Sequence, residues 1–205
     1  MRIKNNNRYQ NIINRTRKFV KKYMNDLKDI SHDYKHINYV INLALKIAKY
    51  EKINNKRDLF HIKMGALLHD IGDTKYYKGN QYNYIKEYLN KIKCLNKYDK
   101  NEILKISSNI SLSKDNNINY NKKKIKLYIV QDADRINSLG SIGIMRYISY
   151  NLINKKENSF DEIINNIIKR TNKIKKFIRT NSGKEIAKKH FKLINSFINN
   201  YKNFK

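Results

Sequence analysis

The 205-residue chain has no proline, no tryptophan, one cysteine and only 17 acidic residues against 45 Lys and Arg. The single cysteine, Cys94, excludes an internal disulfide and a cysteine zinc cluster, and a reducing compartment is the simplest expectation. Cys94 lies between Ile92 and Leu95 on an expected helix, where a small packing residue is the ordinary reading. No apolar run approaches the roughly 18 residues of a membrane span, and MRIKNNNRYQ lacks the apolar centre of a signal peptide. A soluble, intracellular protein with no membrane partner is expected. Strand-like alternation and internal repeats are also missing. The absence of a glycine-rich phosphate motif argues against a P-loop enzyme or ATP-driven kinase.

What is abundant is Lys, Asn, Ile and Tyr. The formal charge of +28 raises the prior for a polyanionic partner. The same composition is what AT-rich coding produces at tolerant positions, so much of the charge reads as a solvated surface. It would still draw anionic substrates toward a cleft. The tyrosines fall mostly on helical faces, which gives little support to a stacking platform for nucleic acid.

Apolar residues recur at three and four nearly throughout, predicting an all-α bundle of eight or nine helices. One face runs from Ile12 to Leu27, and a second helix is expected over about Asp33–Glu51. A third, about Arg57–Ile71, stops near Gly72. Ile85, Leu89 and Ile92 mark a fourth, and Asp99 with Glu102 has the spacing of a capping box opening a fifth. Residues 111–121 read as a loop. Ile125 to Ile136 mark a helix that leads to Gly140 and Gly143, and residues 142–153 mark another. Ser159 and Glu162 repeat the capping-box spacing, and Thr180–Gly183 is expected to break the chain before a last helix.

Three islands carry the chemistry: His36 in SHDYKH, His69 and Asp70 in LLHDIGD, and Asp134 in QDADRIN. His36 is followed by Val40, Leu43 and Ile47, so it projects from a buried side. Adjacent residues diverge by about 100° on a helix, yet His69 and Asp70 can share an ion set beside the helix end. A carboxylate there faces an unfavourable dipole, which a cation would relieve. Asp132 and Asp134 point to different sides, so one of them is expected to be a ligand. Two imidazoles and two carboxylates suit Mn, Fe, Co, Ni, Zn and, less well, Mg, with positions left for water and substrate. Lys75, Lys78 and Arg135 flank the islands and could hold phosphoryl oxygens. Hydrolysis of a phosphate ester or anhydride follows from that chemistry.

The segments SHDYKHINYV, ALLHDIGDTKYYKG, IVQDADRINSLGSIGIMR and SGKEIAKKHF resemble the HD-domain superfamily of metal-dependent phosphohydrolases over nearly the whole chain. More narrowly they resemble a bacterial and viral-type subgroup that includes nucleoside triphosphate pyrophosphohydrolases. The resemblance implies one HD-type domain over residues 1–205, with a metal-binding core at about 30–150 and helices at about 159–205 packed on it. It aligns His36, His69, Asp70 and Asp134 with the metal ligands, Asp132 being the lesser alternative to Asp134. It implies water handling by Asp73, phosphate contact by Lys75 and hydrogen bonding to substrate by His32. One divalent ion is expected, Mn or Mg ahead of Co, Ni, Fe and Zn. The chain departs from the family at Tyr39, often Arg, and at Asn137, often Asp. Around Asn109 no further His appears, which favours one ion over a second, His-rich site.

The leading expectation is thus a nucleotide pyrophosphohydrolase. A nucleotidase or phosphodiesterase uses the same metal chemistry, and a basic, non-catalytic nucleic-acid-binding HD protein is the alternative of a different class. A homodimer is compatible with either.

Overall fold

Two helices in this chain are buried almost all round, and the others pack about them. The computed structural model describes residues 2–27, 33–75, 77–115, 119–154 and 159–204. Among these are nine α-helices, two short 3-10 turns and no strand. The helices are α1 (Arg2–Leu27), α2 (Tyr34–Tyr50), α3 (Lys56–Leu68), α4 (Gln81–Lys91), α5 (Lys97–Ser107), α6 (Ile125–Asn137), α7 (Gly140–Asn154), α8 (Phe160–Phe177) and α9 (Asn181–Phe204).

In α2 the three-and-four spacing of Ile37, Val40, Ile41, Ala44, Ile47 and Ala48 makes one wholly buried stripe. Each fully buried Ile or Val contributes roughly 1.5–3 kcal/mol relative to exposure. Asp33 starts the helix, its Oδ1 accepting the His36 N–H at 2.9 Å. By contrast, α3 buries Phe60, His61, Ile62, Met64, Gly65, Ala66, Leu67 and Leu68, more than one face. It needs neighbours on several sides, and α1, α2, α5 and α6 supply them. At Gly65 a Cβ would lie 2.3 Å from Ile106 Cγ2, so glycine is what lets α5 approach. The second central helix, α6, packs on α2, α3 and α9. One apolar core takes residues from Ile12 to Ile198. Among the described residues, no helix is long and apolar enough to cross a membrane.

Several boundaries differ from expectation for identifiable reasons. The third helix ends at Leu68, so His69 and Asp70 lie in the turn beyond it, with Gly72 at φ +67° completing the reversal. Asp99 does not open α5, because Asn96 takes the cap and accepts the Asp99 N–H at 2.8 Å. Ser159 does cap α8, accepting the Glu162 N–H at 3.2 Å. The break expected at Thr180–Gly183 falls just earlier, at residues 178–180, and Asn181–Gly183 form the first turn of α9. Cys94 is exposed in the turn after α4 instead of packed on a helix.

Candidate metal and phosphate site

Packing of α2 against α3 and α6 brings the first turn of α2 beside the C-terminal ends of the other two. His36 arrives from α2, His69 and Asp70 from the turn after α3, and Asp134 from the last turn of α6. The ends of α3 and α6 carry negative partial charge, to which the two carboxylates add. The meeting point is therefore a place for positive charge.

The donor atoms converge closely. His36 Nε2 lies 3.3 Å from His69 Nε2, 3.3 Å from Asp70 Oδ2 and 3.4 Å from Asp134 Oδ1. His69 Nε2 is 3.2 Å from Asp70 Oδ1 and 3.7 Å from Asp134 Oδ1. Ligands about 2.1 Å from a shared ion stand about 3.0–3.4 Å apart at tetrahedral or octahedral angles, so this set fits a single cation. The His69 tautomer fits as well. The Nδ1–H of His69 donates to the Ala66 carbonyl at 2.8 Å, which leaves Nε2 as a lone pair facing the centre. His36 Nδ1 meets the Asn137 amide and Arg146 Nη1, the latter at 2.7 Å. An arginine N–H can only donate, so His36 Nδ1 accepts from Arg146 here, while Nε2 faces the centre beside the two carboxylates.

Electrostatics repeat the point. Burial would lower the His69 imidazole, but Asp70 and Asp134 outweigh it and push it up to about 9. Burial would raise the Asp134 carboxyl, but His36 and His69 hold it well below the usual carboxylate range. A field that favours a proton this strongly favours a divalent cation in the same place.

The four groups form one side of a cavity of about 440 Å³, also lined by Asp73, Lys75, Arg146, Tyr150 and Arg170. That volume is within the range of small-molecule sites. A larger groove of 810 Å³ beside Asn80, Asn101 and Lys105 holds none of the four groups, so the chemistry belongs to the smaller cavity.

The remaining expected residues divide. Asp73 lines the cavity and its Oδ1 also accepts the Lys75 N–H at 2.9 Å, fixing the turn. Lys75 stands at the rim, its Nζ 5.3 Å from the Tyr150 ring centroid. Lys78 is exposed and is not among the residues that line this cavity. Arg135 does line it, but its Nη2 bonds Asp115 at 2.6 Å and its Nη1 the Phe177 carbonyl at 2.7 Å. Its guanidinium is held by the fold and not offered to a phosphate. Asp132 turns the other way, accepting Thr180 N–H and Oγ1–H, each at 2.7 Å, and the Arg179 N–H at 3.1 Å. There it caps the start of α9, and a Cβ at Gly183 would lie 2.7 Å from its Oδ2. Burial pushes its carboxyl up to about 6 despite those bonds. His32 lies outside the described residues.

Sequence reasoning missed Gln81, Arg146, Tyr150 and Arg170. Gln81 is buried, and its Nε2–H donates to the His69 carbonyl at 2.6 Å, supporting the turn that carries the ligands. In so basic a chain neither Arg146 nor Arg170 stood out, although Arg146 falls within the quoted SLGSIGIMR segment.

No protein-family model matches the chain. Uncharacterized protein L803 of Acanthamoeba polyphaga mimivirus is 31% identical over 149 residues, which is 67% of this chain, and the chain spans 60% of that relative's length. The crystal structure of an HD-superfamily hydrolase from Bacillus thuringiensis superposes with a TM-score of 0.71 at 26% identity, covering 94% of this chain and 96% of that one. Bacillus subtilis YpgQ in complex with ADP superposes with a TM-score of 0.71 at 20% identity, covering 93% and 96%.

Proposed function

We infer that the chain is a member of the HD superfamily of metal-dependent phosphohydrolases, as its likeness to the Bacillus thuringiensis HD-superfamily hydrolase supports, and on that premise that it acts on nucleotides, with a nucleoside triphosphate as substrate and pyrophosphate as a product. The observation that carries this reading is the convergence of His36, His69, Asp70 and Asp134 on one point of a cavity otherwise rich in Lys and Arg. The ADP bound by YpgQ, which shares the fold, supports a nucleotide as the ligand.

His36, His69, Asp70 and Asp134 would hold one divalent cation, Mn or Mg ahead of Co, Ni, Fe and Zn. When bound, such an ion supplies Lewis acidity toward water and a phosphoryl oxygen. The residues around it do the rest. Asp73, three residues beyond Asp70 and anchored by the Lys75 N–H, takes the proton of the attacking water. Lys75 holds a phosphate oxygen at the rim and offsets the charge that develops as the bond breaks. Gln81 keeps the His69 turn in place. We read residues 1–205 as one such catalytic unit.

The test is release of phosphate or pyrophosphate from a nucleotide panel after chelation, with Mn²⁺, Mg²⁺ or Co²⁺ added back. Metal-dependent pyrophosphate release from a nucleoside triphosphate is expected. No turnover of any nucleotide with any of the ions, together with tight, salt-sensitive nucleic-acid binding, would replace this reading with the non-catalytic one.

A further inference from the structure

The cavity has two poles of opposite charge. At one end Asp70 and Asp134 stand with the two imidazoles. Around the rest are Lys75, Arg135, Arg146 and Arg170, against one further acid, Asp73. Asp115 neutralises Arg135 from behind. Away from that acidic end, Lys75, Arg146 and Arg170 outnumber Asp73 and the Asp33 that meets Arg146 from outside the cavity, so this part of the wall is net positive. A phosphomonoester would use that excess at one position only.

The two arginines are set at different depths. Arg146, on α7, is the inner one: its Nη1 is 2.7 Å from His36 Nδ1 and its Nη2 is 3.6 Å from Asp33 Oδ1. Arg170, from α8, is the outer one. It is exposed, and its Nη2 reaches the neutral Ser138 Oγ at 3.4 Å. Ser138 follows Asp134 by four residues, about one helical turn or 5.4 Å along the α6 direction, and its Oγ–H donates to the Asp134 carbonyl at 3.3 Å. Arg170 thus stands about one helical turn further out than Asp134, on the side where a second phosphoryl unit of a bound chain would lie. Guanidinium groups bind such oxygens through paired, charge-assisted hydrogen bonds.

We propose that Arg146 and Arg170 form a stepped clamp for a polyphosphate chain, so that the site recognises a substrate by the phosphates beyond the one attacked, and that Arg170 sets the required chain length. This rests on the phosphohydrolase reading and deepens it. Inorganic triphosphate, which has the chain and no nucleoside, isolates the clamp.

The experiment is calorimetric titration of the full chain, in chelator, with inorganic triphosphate and with orthophosphate. Wild type, Arg170→Gln, Arg146→Gln and Lys169→Gln are compared. Lys169 is the exposed neighbour of Arg170, so its variant removes the same charge outside the cavity. The expected result is that triphosphate binds wild type more tightly than orthophosphate does. Each arginine variant loses about tenfold or more of that affinity, while Lys169→Gln keeps it. Arg170→Lys should recover part of the loss. The clamp is refuted if Arg170→Gln binds triphosphate like wild type. It is equally refuted if Lys169→Gln loses as much, because bulk charge is then the cause, or if both anions weaken alike. Because no metal is present, these outcomes are separate from those of the turnover assay.

Discussion

His61 and His69 are both buried, one within α3 and the other at its end, and their surroundings are opposite. Around His61 acids and bases alternate. Its Nε2 meets Asp99 Oδ1 at 2.7 Å, Asp99 also receives Arg57 Nε at 2.7 Å, and Lys126 binds Glu102 at 2.7 Å and Asp58 at 3.1 Å. Burial lowers the His61 imidazole, and Lys126 adds to that against the pull of Asp99. Around His69 the close neighbours are a second imidazole and two carboxylates, and the ring is pushed up to about 9. Thus a histidine in a charge-balanced network is a structural element, whereas one that meets a second imidazole and two carboxylates at one point is a candidate ligand. Residue type does not distinguish the two.

That contrast can be broken from either side. The largest expected effect is on turnover: Asp70→Ala should lower metal-dependent nucleotide hydrolysis by more than about 100-fold, the upper end of what an outer-sphere change costs, while circular dichroism stays helical. Full activity in that variant would remove the site. Next, Asp99→Ala leaves Arg57 and the buried His61 without their shared acid. Its stability in urea should fall by about 3 kcal/mol, with kcat per folded molecule close to wild type. A large fall in kcat without loss of stability would instead put the His61 network in the chemistry.

A smaller effect concerns acid stability. Burial would raise Asp99 and Asp115, but Arg57 and His61, and Arg179 and Arg135, hold both below their ordinary 3.8. Such depressed carboxyls contribute stability that is complete above about pH 3.8 and is lost as pH falls through their folded values. Asp115→Asn should therefore be less stable than wild type at pH 7 and should lose less on going from pH 5 to pH 2. Parallel acid curves for the two proteins would contradict the pairing. The smallest effect is at Cys94, exposed beyond α4. Cys94→Ser should change stability by less than about 0.5 kcal/mol and leave turnover at wild type, and a larger change would show that the thiol packs.

The sequence revealed most where local rules decide. Helices such as α2 and α8 were visible because their apolar residues keep one face, and Ser159 caps as its spacing predicts. The four candidate ligands were visible because scarce acids and histidines sit within apolar, periodic stretches. The misreadings come from tertiary competition. Asn96 captures the α5 cap and frees Asp99 to bind His61 and Arg57. Arg135 adjoins Asp134 but lies about 100° around the helix, where it meets Asp115. Arg146 and Arg170 were invisible, because only the placement of α7 and α8 beside the cavity sets them apart from the other basic residues.

The central claim is that Asp134, and not Asp132, completes a single metal site with His36, His69 and Asp70. Titration of the chelator-stripped protein with Mn²⁺, followed by calorimetry, measures it directly. One ion per chain is predicted for wild type and for Asp132→Asn, with binding lost or weakened by more than about 100-fold in Asp134→Asn. Wild-type Mn²⁺ affinity and stoichiometry in Asp134→Asn would contradict the account.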